Sequence, residues 1–152
     1  MCLGTKLSES SLKRYKAKGK KTGYIRVWKC VDELKSRYHP QWQYTDKPYK
    51  NGLNHARSDA QNENKLIHAF RNKTSAISWN GTEAPYSKIV VCYIKPEWVA
   101  AIGCEFDQST LTTKAIVMPE YPKRKVTVKE FRAAIKGKTV KKYKTVKKYK
   151  WE

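Results

Sequence analysis

The alternation of apolar and polar positions predicts a β-sheet at the centre of the chain. The longest apolar run covers residues 88–106. Both alternating sides of residues 88–95 are apolar, which is typical of a central strand covered on both faces. Pro96 has no N–H to donate to a neighbouring strand, so this strand should end there. Residues 98–106 should form the next strand.

Other segments predict further strands of the same sheet. Residues 24–31 alternate, with Tyr24, Arg26, Trp28 and Cys30 on one side. Residues 111–118 are another clear strand candidate, and the brief apolar run at 66–70 predicts a short strand. Residues 41–64 follow no regular period, and their strongly polar second half, from position 54, indicates a loop.

The clearest helix signal lies near the end of the chain. Thr127 and Glu130 have the spacing of a capping box, in which each side chain bonds to the backbone N–H of the other residue. Val126 and Phe131 are placed to form a hydrophobic staple around it. These signals predict a helix over residues 128–136, with Gly137 as its stop.

Two shorter helices are also predicted. Ser8 or Ser10 is suited to begin one in the basic N-terminal segment, and Gly19 should end it. Thr74 is suited to cap another, in which Ile77 should face inward. The elements together predict an α+β fold, a small mostly antiparallel sheet with one or two packed helices and basic terminal arms.

Charge divides the chain into a near-neutral body and two basic ends. The formal net charge of the 152 residues is +20 at pH 7. Residues 1–23 carry seven Lys or Arg and one Glu, whereas residues 24–122 carry thirteen Lys or Arg and ten Asp or Glu. Residues 123–152 carry thirteen Lys or Arg and only two Glu. We therefore expect a basic N-terminal arm (1–23), an α+β domain (24–137) and a Lys/Tyr-rich tail (138–152).

The tail is the strongest functional lead in the sequence. A six-residue repeat, KTVKKY, occupies positions 138–143 and again 144–149. Lysines neutralise phosphates, and aromatic rings between them can stack on unpaired bases. The simpler alternative is a solvated basic tail that only keeps the protein in solution. The predicted nucleic-acid-binding residues are Lys123, Arg124, Lys125, Lys129, Arg132, Lys136, Lys138, Lys141, Lys142, Tyr143, Lys144, Lys147, Lys148, Tyr149, Lys150 and Trp151.

Several classes of protein are not indicated. No secretory signal and no apolar run of about 18 residues occurs, so we expect neither secretion nor a membrane partner. The four cysteines form no CxxC pair, and Cys30 and Cys92 lie in apolar runs where buried free thiols are common. We expect a reduced, cytoplasmic protein without a metal or other cofactor.

Histidines leave an enzymatic alternative open. His39, His55 and His68, with nearby Arg and Tyr, offer the acid, base and cation that a small metal-independent nuclease or transferase needs. Nothing in their spacing assembles a site. Cys2 is a weaker candidate, since removal of Met1 would place its thiol beside a free amine.

Short motifs resemble a loose set of uncharacterised small bacteriophage proteins. They are the Met1-Cys2-Leu3 start, the strand IRVWK at 25–29, the aromatic segments at 42–44 and 48–49, the HAF turn at 68–70 with the helix at 75–79, and the strands VVCYIKP at 90–96 and VAAIG at 99–103. The resemblance covers residues 1–118 and does not include the Lys/Tyr tail. It implies a phage accessory protein that acts on host machinery or host defence.

These observations favour a non-enzymatic, phage-type protein that binds nucleic acid, RNA or DNA, or a host ribonucleoprotein complex. An anti-CRISPR-like inhibitor of host defence is one concrete form. The alternatives are the metal-independent nuclease or transferase, and a virion component whose tail contacts the packaged genome. The sequence does not indicate an oligomeric state.

Overall fold

The computed structural model describes residues 5–32, 35–36, 49–56, 66–82, 88–105, 108–120 and 122–136. Within these residues, nine strands form one sheet and three α-helices pack on it, so the predicted α+β fold is confirmed. The strands are β1 (Thr5–Lys6), β2 (Ile25–Asp32), β3 (Lys35–Ser36), β4 (Gly52–His55), β5 (Ile67–Phe70), β6 (Lys88–Ile94), β7 (Val99–Glu105), β8 (Gln108–Thr113) and β9 (Ala115–Met118). The helices are α1 (Glu9–Lys20), α2 (Lys73–Thr82) and α3 (Val128–Ile135).

The strand pairings are antiparallel, as the sequence predicts. Neighbouring strands follow the order β1-β7-β8-β5-β2-β6-β9-β4, and β3 pairs with β2 outside this path. The longest register joins β2 to β6, from Ile25 opposite Ile94 to Val31 opposite Lys88. The apolar run at 88–94 therefore lies inside the sheet, and a 3₁₀ turn that begins at Pro96 ends it.

The prediction of a single strand over residues 111–118 is wrong. The segment is divided at Lys114, whose side chain is exposed and whose backbone N–H donates to the Trp98 carbonyl at 2.9 Å. Before this residue β8 pairs with β5 and β7, and after it β9 pairs with β4 and β6. The sequence of residues 111–118 does not show which strands pair with each half, so the change of partner could not be predicted.

The loop expected from position 54 onward does not include Asn54 and His55. Asn54 and His55 are buried in β4, paired with β9. The Asn54 amide donates to the Lys50 and Gly52 carbonyls at 2.8 and 2.9 Å, and its oxygen accepts from the Lys50 N–H at 3.0 Å. These bonds satisfy a polar side chain inside the fold, and sequence polarity therefore gave the wrong assignment. Residues 57–65 lie outside the described residues.

Helix α1 begins where predicted and runs further than predicted. Ser8 caps it by accepting from the Ser11 N–H at 3.2 Å. Gly19 does not end the helix, which continues to Lys20. Leu12 and Tyr15 pack against the core of the sheet, so this basic helix is part of the folded body.

Helix α2 differs from the prediction at both of its named residues. Its first turn is capped by Asn72, whose side-chain oxygen accepts from the Ser75 N–H at 2.7 Å, and not by Thr74. Ile77 is 52% exposed and does not face inward. Ser75, Ala76 and Trp79 are buried on this helix, so its inward side lies about one position away from the one predicted.

Helix α3 confirms the local prediction. The Thr127 hydroxyl accepts from the Glu130 N–H at 3.1 Å, and the Thr127 N–H donates to the Glu130 carboxylate at 2.9 Å. Val126 and Phe131 are both buried in the main core cluster. The predicted stop, Gly137, lies outside the described residues.

Candidate nucleic-acid interface

The two faces of strand β2 contact different parts of the molecule. Ile25, Val27 and Val31 are buried on one side, which we call the Ile25 face. Arg26, Trp28 and Cys30 point to the other side, the Arg26 face, because successive strand residues alternate. Among the described β2 side chains on the Arg26 face, Cys30 is fully buried, Trp28 is half-buried and Arg26 is exposed.

Two helices cover the Arg26 face and leave a gap between them. Under α2, the ring centroids of Phe70 and Trp79 lie 5.9 Å apart, and the Cys30 thiol contacts the Ala76 carbonyl at 3.6 Å. Elsewhere on the same face, Phe131 of α3 packs on Tyr93 with ring centroids 5.8 Å apart. The gap between these two contacts is a groove of about 380 Å³, which we call the basic groove.

Cross-strand pairs of β2 and β6 form the floor of the groove. Arg26 lies opposite Tyr93, and Trp28 lies opposite Val91. The Arg26 Nε donates to the Tyr93 hydroxyl at 3.3 Å, and its guanidinium carbon lies 5.8 Å from the centre of that ring. Tyr93 itself is buried, so the surfaces offered to a ligand are the Arg26 guanidinium and the half-buried Trp28 ring. Ile89 completes the apolar part of the floor.

Lys73 and the segment 124–126 form the walls. Lys73 is the first residue of α2. Residues 124–126 run beside β6, because the Val91 N–H donates to the Arg124 carbonyl at 2.7 Å and the Val126 N–H donates to the Val91 carbonyl at 3.1 Å. The capped start of α3 follows at once, so this segment is held at both ends. Arg124 and Lys125 are thereby fixed at the edge of the groove.

The basic groove is chemically suited to an anion that also carries a flat ring. Its described lining includes four exposed cations, Arg26, Lys73, Arg124 and Lys125, and no acidic side chain. Like charges gathered in one groove repel each other, and a bound anion would relieve that repulsion. Phosphate is a suitable anion because guanidinium groups bind it through paired hydrogen bonds. The volume lies in the range of small-ligand sites, about 300–1,000 Å³.

The structure places only part of the predicted nucleic-acid-binding set. Arg124 and Lys125 line the groove, whereas Lys123 is exposed beside it. On α3 the cations are exposed on the side opposite Phe131; these are Lys129, Arg132 and Lys136. The tail residues, from Lys138 to Trp151, lie outside the described residues, and their role stays a prediction.

The charge pattern of the sequence did not reveal the contribution of the body to this site. It placed the basic groups at the two ends of the chain, whereas Arg26, Trp28 and Lys73 come from the near-neutral middle. One signal was present, since the alternation of residues 24–31 put Arg26 and Trp28 on the same side of a strand. The missing information was that residues 124–126 return to that strand pair.

The described histidines are buried and are not part of the groove. His55 lies in β4 and His68 in β5, and three strands separate them in the sheet. Burial lowers the pKa of His55 from 6.5 to about 4, and the charge of Lys50 adds to this effect. His39 and Cys2 of the enzymatic alternative lie outside the described residues.

The cysteines behave as predicted at the two positions singled out. Cys30, Cys92 and Cys104 form no disulfide; Cys30 and Cys92 are buried, and Cys104 is half-buried. Burial raises the pKa of the Cys92 thiol from 9.0 to about 12, although the charge of Lys29 opposes this shift. A thiol with so high a pKa is protonated at neutral pH and is a poor nucleophile.

Neither a metal site, a membrane-spanning helix nor a protein family can be assigned from the described residues and the comparisons. Among the described residues, no three His, Cys, Asp or Glu side chains are grouped so that they could hold a metal ion. None of the helices in the described ranges has the length and apolar character needed to cross a membrane. The chain was also compared with protein-family models, with curated proteins and with solved structures, and it matches none of them.

Proposed function

We propose that this protein binds single-stranded nucleic acid in the basic groove and that the Lys/Tyr-rich tail adds contacts to the phosphate backbone. The observation that supports the proposal is the lining of the groove. Four cationic side chains surround an aromatic and apolar floor, with no acidic side chain among the described lining residues. This combination of charge and ring surface is the one that non-specific single-strand binding requires.

Each part of the groove has a role in this proposal. Lys73, Arg124 and Lys125 neutralise successive phosphates, which releases counterions and gives an affinity that falls with salt. A base stacks on the Trp28 ring, a contact worth roughly 1–3 kcal/mol in known systems. The Arg26 guanidinium, already seated over Tyr93, offers a second flat surface for a base.

Single strands suit the groove better than duplexes do. The Trp28 ring is half-buried at the floor, below exposed cations on both walls. In a duplex the bases are stacked inside the helix and present only their edges, so their faces cannot reach this ring. An unpaired strand can turn a base into the groove while its phosphates stay at the rim.

The resemblance to small phage proteins suggests a setting for this activity. In that setting the protein is a non-enzymatic phage accessory protein, and its target is a host ribonucleoprotein, such as a defence complex. A nucleic acid should then accompany the protein when it is purified from infected cells at low salt. Nuclease treatment should remove it, and purified protein that carries no nucleic acid would contradict this part of the proposal.

Fluorescence anisotropy with short labelled single strands, both RNA and DNA, and with matching duplexes tests the groove. Trp28→Ala should weaken single-strand binding roughly 5- to 150-fold, which corresponds to the loss of one stacking contact. Because Trp28 also packs under α2, a second variant is needed in case this one does not fold. Arg124→Gln with Lys125→Gln changes only exposed side chains. It should lower the slope of log affinity against log salt by about 1.4, or about 0.7 for each lost contact.

The matched control removes two charges elsewhere. Lys6→Gln with Lys114→Gln also changes exposed residues, on β1 and between β8 and β9, and should keep the wild-type single-strand affinity to within about twofold. Equal losses in this control and in the Arg124/Lys125 variant would show that only total charge matters. That result, or no binding by the wild type at low salt, would overturn the proposal.

A further inference from the structure

We propose that the outward side of α1 is a second nucleic-acid surface, which contacts phosphates only, and that the protein therefore bridges two nucleic-acid segments. This inference rests on the proposed function of the basic groove. It adds a second site on the opposite face of the sheet, which should bind duplexes and single strands alike, whereas the groove should prefer unpaired strands.

The inward side of α1 is defined by its packing. Leu12 and Tyr15 contact the main core cluster, and Gly19 is buried. Gly19 lies so close to the sheet that a Cβ built on it would be 2.4 Å from Ile25 Cγ1 and 3.0 Å from Pro96 Cγ. The spacing of 12, 15 and 19 is that of one helix side, so the opposite side faces solvent.

The outward side carries a concentrated positive charge. It includes the exposed side chains of Lys13, Arg14, Lys18, Lys20 and Lys21. Glu9, in the first turn, is the one acidic residue between positions 5 and 31. Residues three and four apart lie on neighbouring turns of a helix, so Arg14 and Lys18 form a row along the axis. A phosphate backbone is the partner whose regular negative charge matches such a row.

Strand alternation places this surface opposite the groove. Helix α1 packs against Ile25, whereas the groove is built on Arg26 and Trp28. Neighbouring residues of β2 point to opposite faces of the sheet, and packed layers are separated by about 10 Å. One short strand seated in the groove therefore cannot also lie along α1, and each surface is free to take its own segment.

The two surfaces should differ in what they recognise. The aromatic ring of α1, Tyr15, faces inward, where the Arg71 guanidinium lies 6.0 Å from the ring centre. The described outward side of α1 thus offers charge without a stacking surface, so duplexes and single strands should bind it through phosphates alone. The groove, with Trp28 on its floor, should prefer unpaired strands.

A capture experiment with the full chain tests bridging. A biotin-labelled single strand is fixed on beads and saturated with protein, and a fluorescent duplex of unrelated sequence is then added. Wild-type protein should retain the duplex on the beads. Lys13→Glu with Arg14→Glu should reduce duplex retention severalfold, to the level that the tail alone supports, while changing the affinity for the single strand less than about threefold. Lys88→Glu with Lys114→Glu makes the same change in net charge at exposed sites outside α1 and should retain the duplex.

The outcomes separate this inference from the proposed function. If the wild type binds the single strand but does not retain the duplex, or if the α1 variant retains it fully, bridging through α1 is wrong and the groove is unaffected. If no single strand binds, the proposed function itself fails. Sedimentation of each protein without nucleic acid tests a second explanation, in which oligomers of the protein retain the duplex. If the α1 variant loses an oligomer that the wild type forms, retention is due to oligomers and not to α1.

Discussion

At the scale of single residues, Lys29 is a charged side chain that is buried inside the sheet. It shares the Ile25 face with apolar residues, and it is only 1% exposed. Its Nζ donates to the His68 carbonyl and lies 5.3 Å from the centre of the Tyr49 ring. Burial lowers the pKa of Lys29 from 10.5 to about 8, although the nearby thiols of Cys92 and Cys30 act in the opposite direction. Alternation assigned its side of the strand correctly, but the acceptor for its amine comes from another strand.

This lysine should make the stability of the protein rise with pH in mildly alkaline solution. Because its pKa is lower in the folded chain than in the unfolded chain, the unfolded chain binds more protons above about pH 8. Lys29 alone should therefore raise the free energy of unfolding by about 1 kcal/mol from pH 8 to pH 9. The raised pKa of Cys92 already works against this trend in that interval, because the unfolded thiol ionises around its ordinary pKa of 9.0. The net rise should therefore be roughly 0.6 kcal/mol, and the comparison should stop at pH 9, where the opposing effect grows. Urea unfolding followed by tryptophan fluorescence measures the change.

Lys29→Met should remove that increase, whereas Lys114→Met, at an exposed position, should keep it. The variant is expected to fold, since a buried charge can often be replaced by an apolar side chain of similar volume without loss of stability. An equal rise from pH 8 to pH 9 in wild type and Lys29→Met would show that another group is responsible.

At the scale of elements, predictions succeeded where the signal was local. The capping box of α3 lies within four residues, from Thr127 to Glu130, and both of its hydrogen bonds are present. The division of residues 111–118 at Lys114 depends instead on which strands lie on either side of β8 and β9. Asn54 was assigned to a loop because its polarity is visible in the sequence, whereas its bonds to Lys50 and Gly52 are not.

Two glycines in helices should respond in opposite ways to the same substitution. Gly19→Ala adds a methyl group that would lie 2.4 Å from Ile25 Cγ1, and Ile25 is itself buried. Overpacking of this kind costs about 1–3 kcal/mol, which exceeds the helix-propensity gain of up to about 1 kcal/mol. Gly81, near the end of α2, has no atom within 4 Å of such a methyl group, so Gly81→Ala should stabilise by up to about 1 kcal/mol. Thermal unfolding of both variants checks the pair, and a stabilised Gly19→Ala would mean that α1 is free to move away from the sheet.

At the scale of the whole molecule, the candidate site joins parts of the chain that are far apart in sequence. Arg26 and Arg124 meet because residues 124–126 form a parallel bridge to Val91, and β6 pairs with β2. The strong charge asymmetry of the sequence pointed to the C-terminal end, and it found Arg124 and Lys125 for that reason. It could not find Arg26, Trp28 and Lys73, because in the sequence they are ordinary residues of a near-neutral body.

The tail and the groove should contribute to binding in separable ways. Deleting residues 138–152, which lie outside the described residues, removes seven lysines and one glutamate. Because lysine is a point charge that contacts phosphates without reading bases, the deletion should weaken single-strand and duplex binding by similar factors. It should also flatten the salt dependence for both.

The groove variant Arg124→Gln with Lys125→Gln should instead weaken single-strand binding more than duplex binding, since the groove also offers the Trp28 ring. Affinities for both nucleic acids, measured over a series of salt concentrations, distinguish the two patterns. If the deletion changes neither affinity nor salt slope, the tail is a solvated extension and the groove alone binds. If the deletion abolishes the preference for single strands, the aromatic residues of the tail supply the stacking that we assign to Trp28.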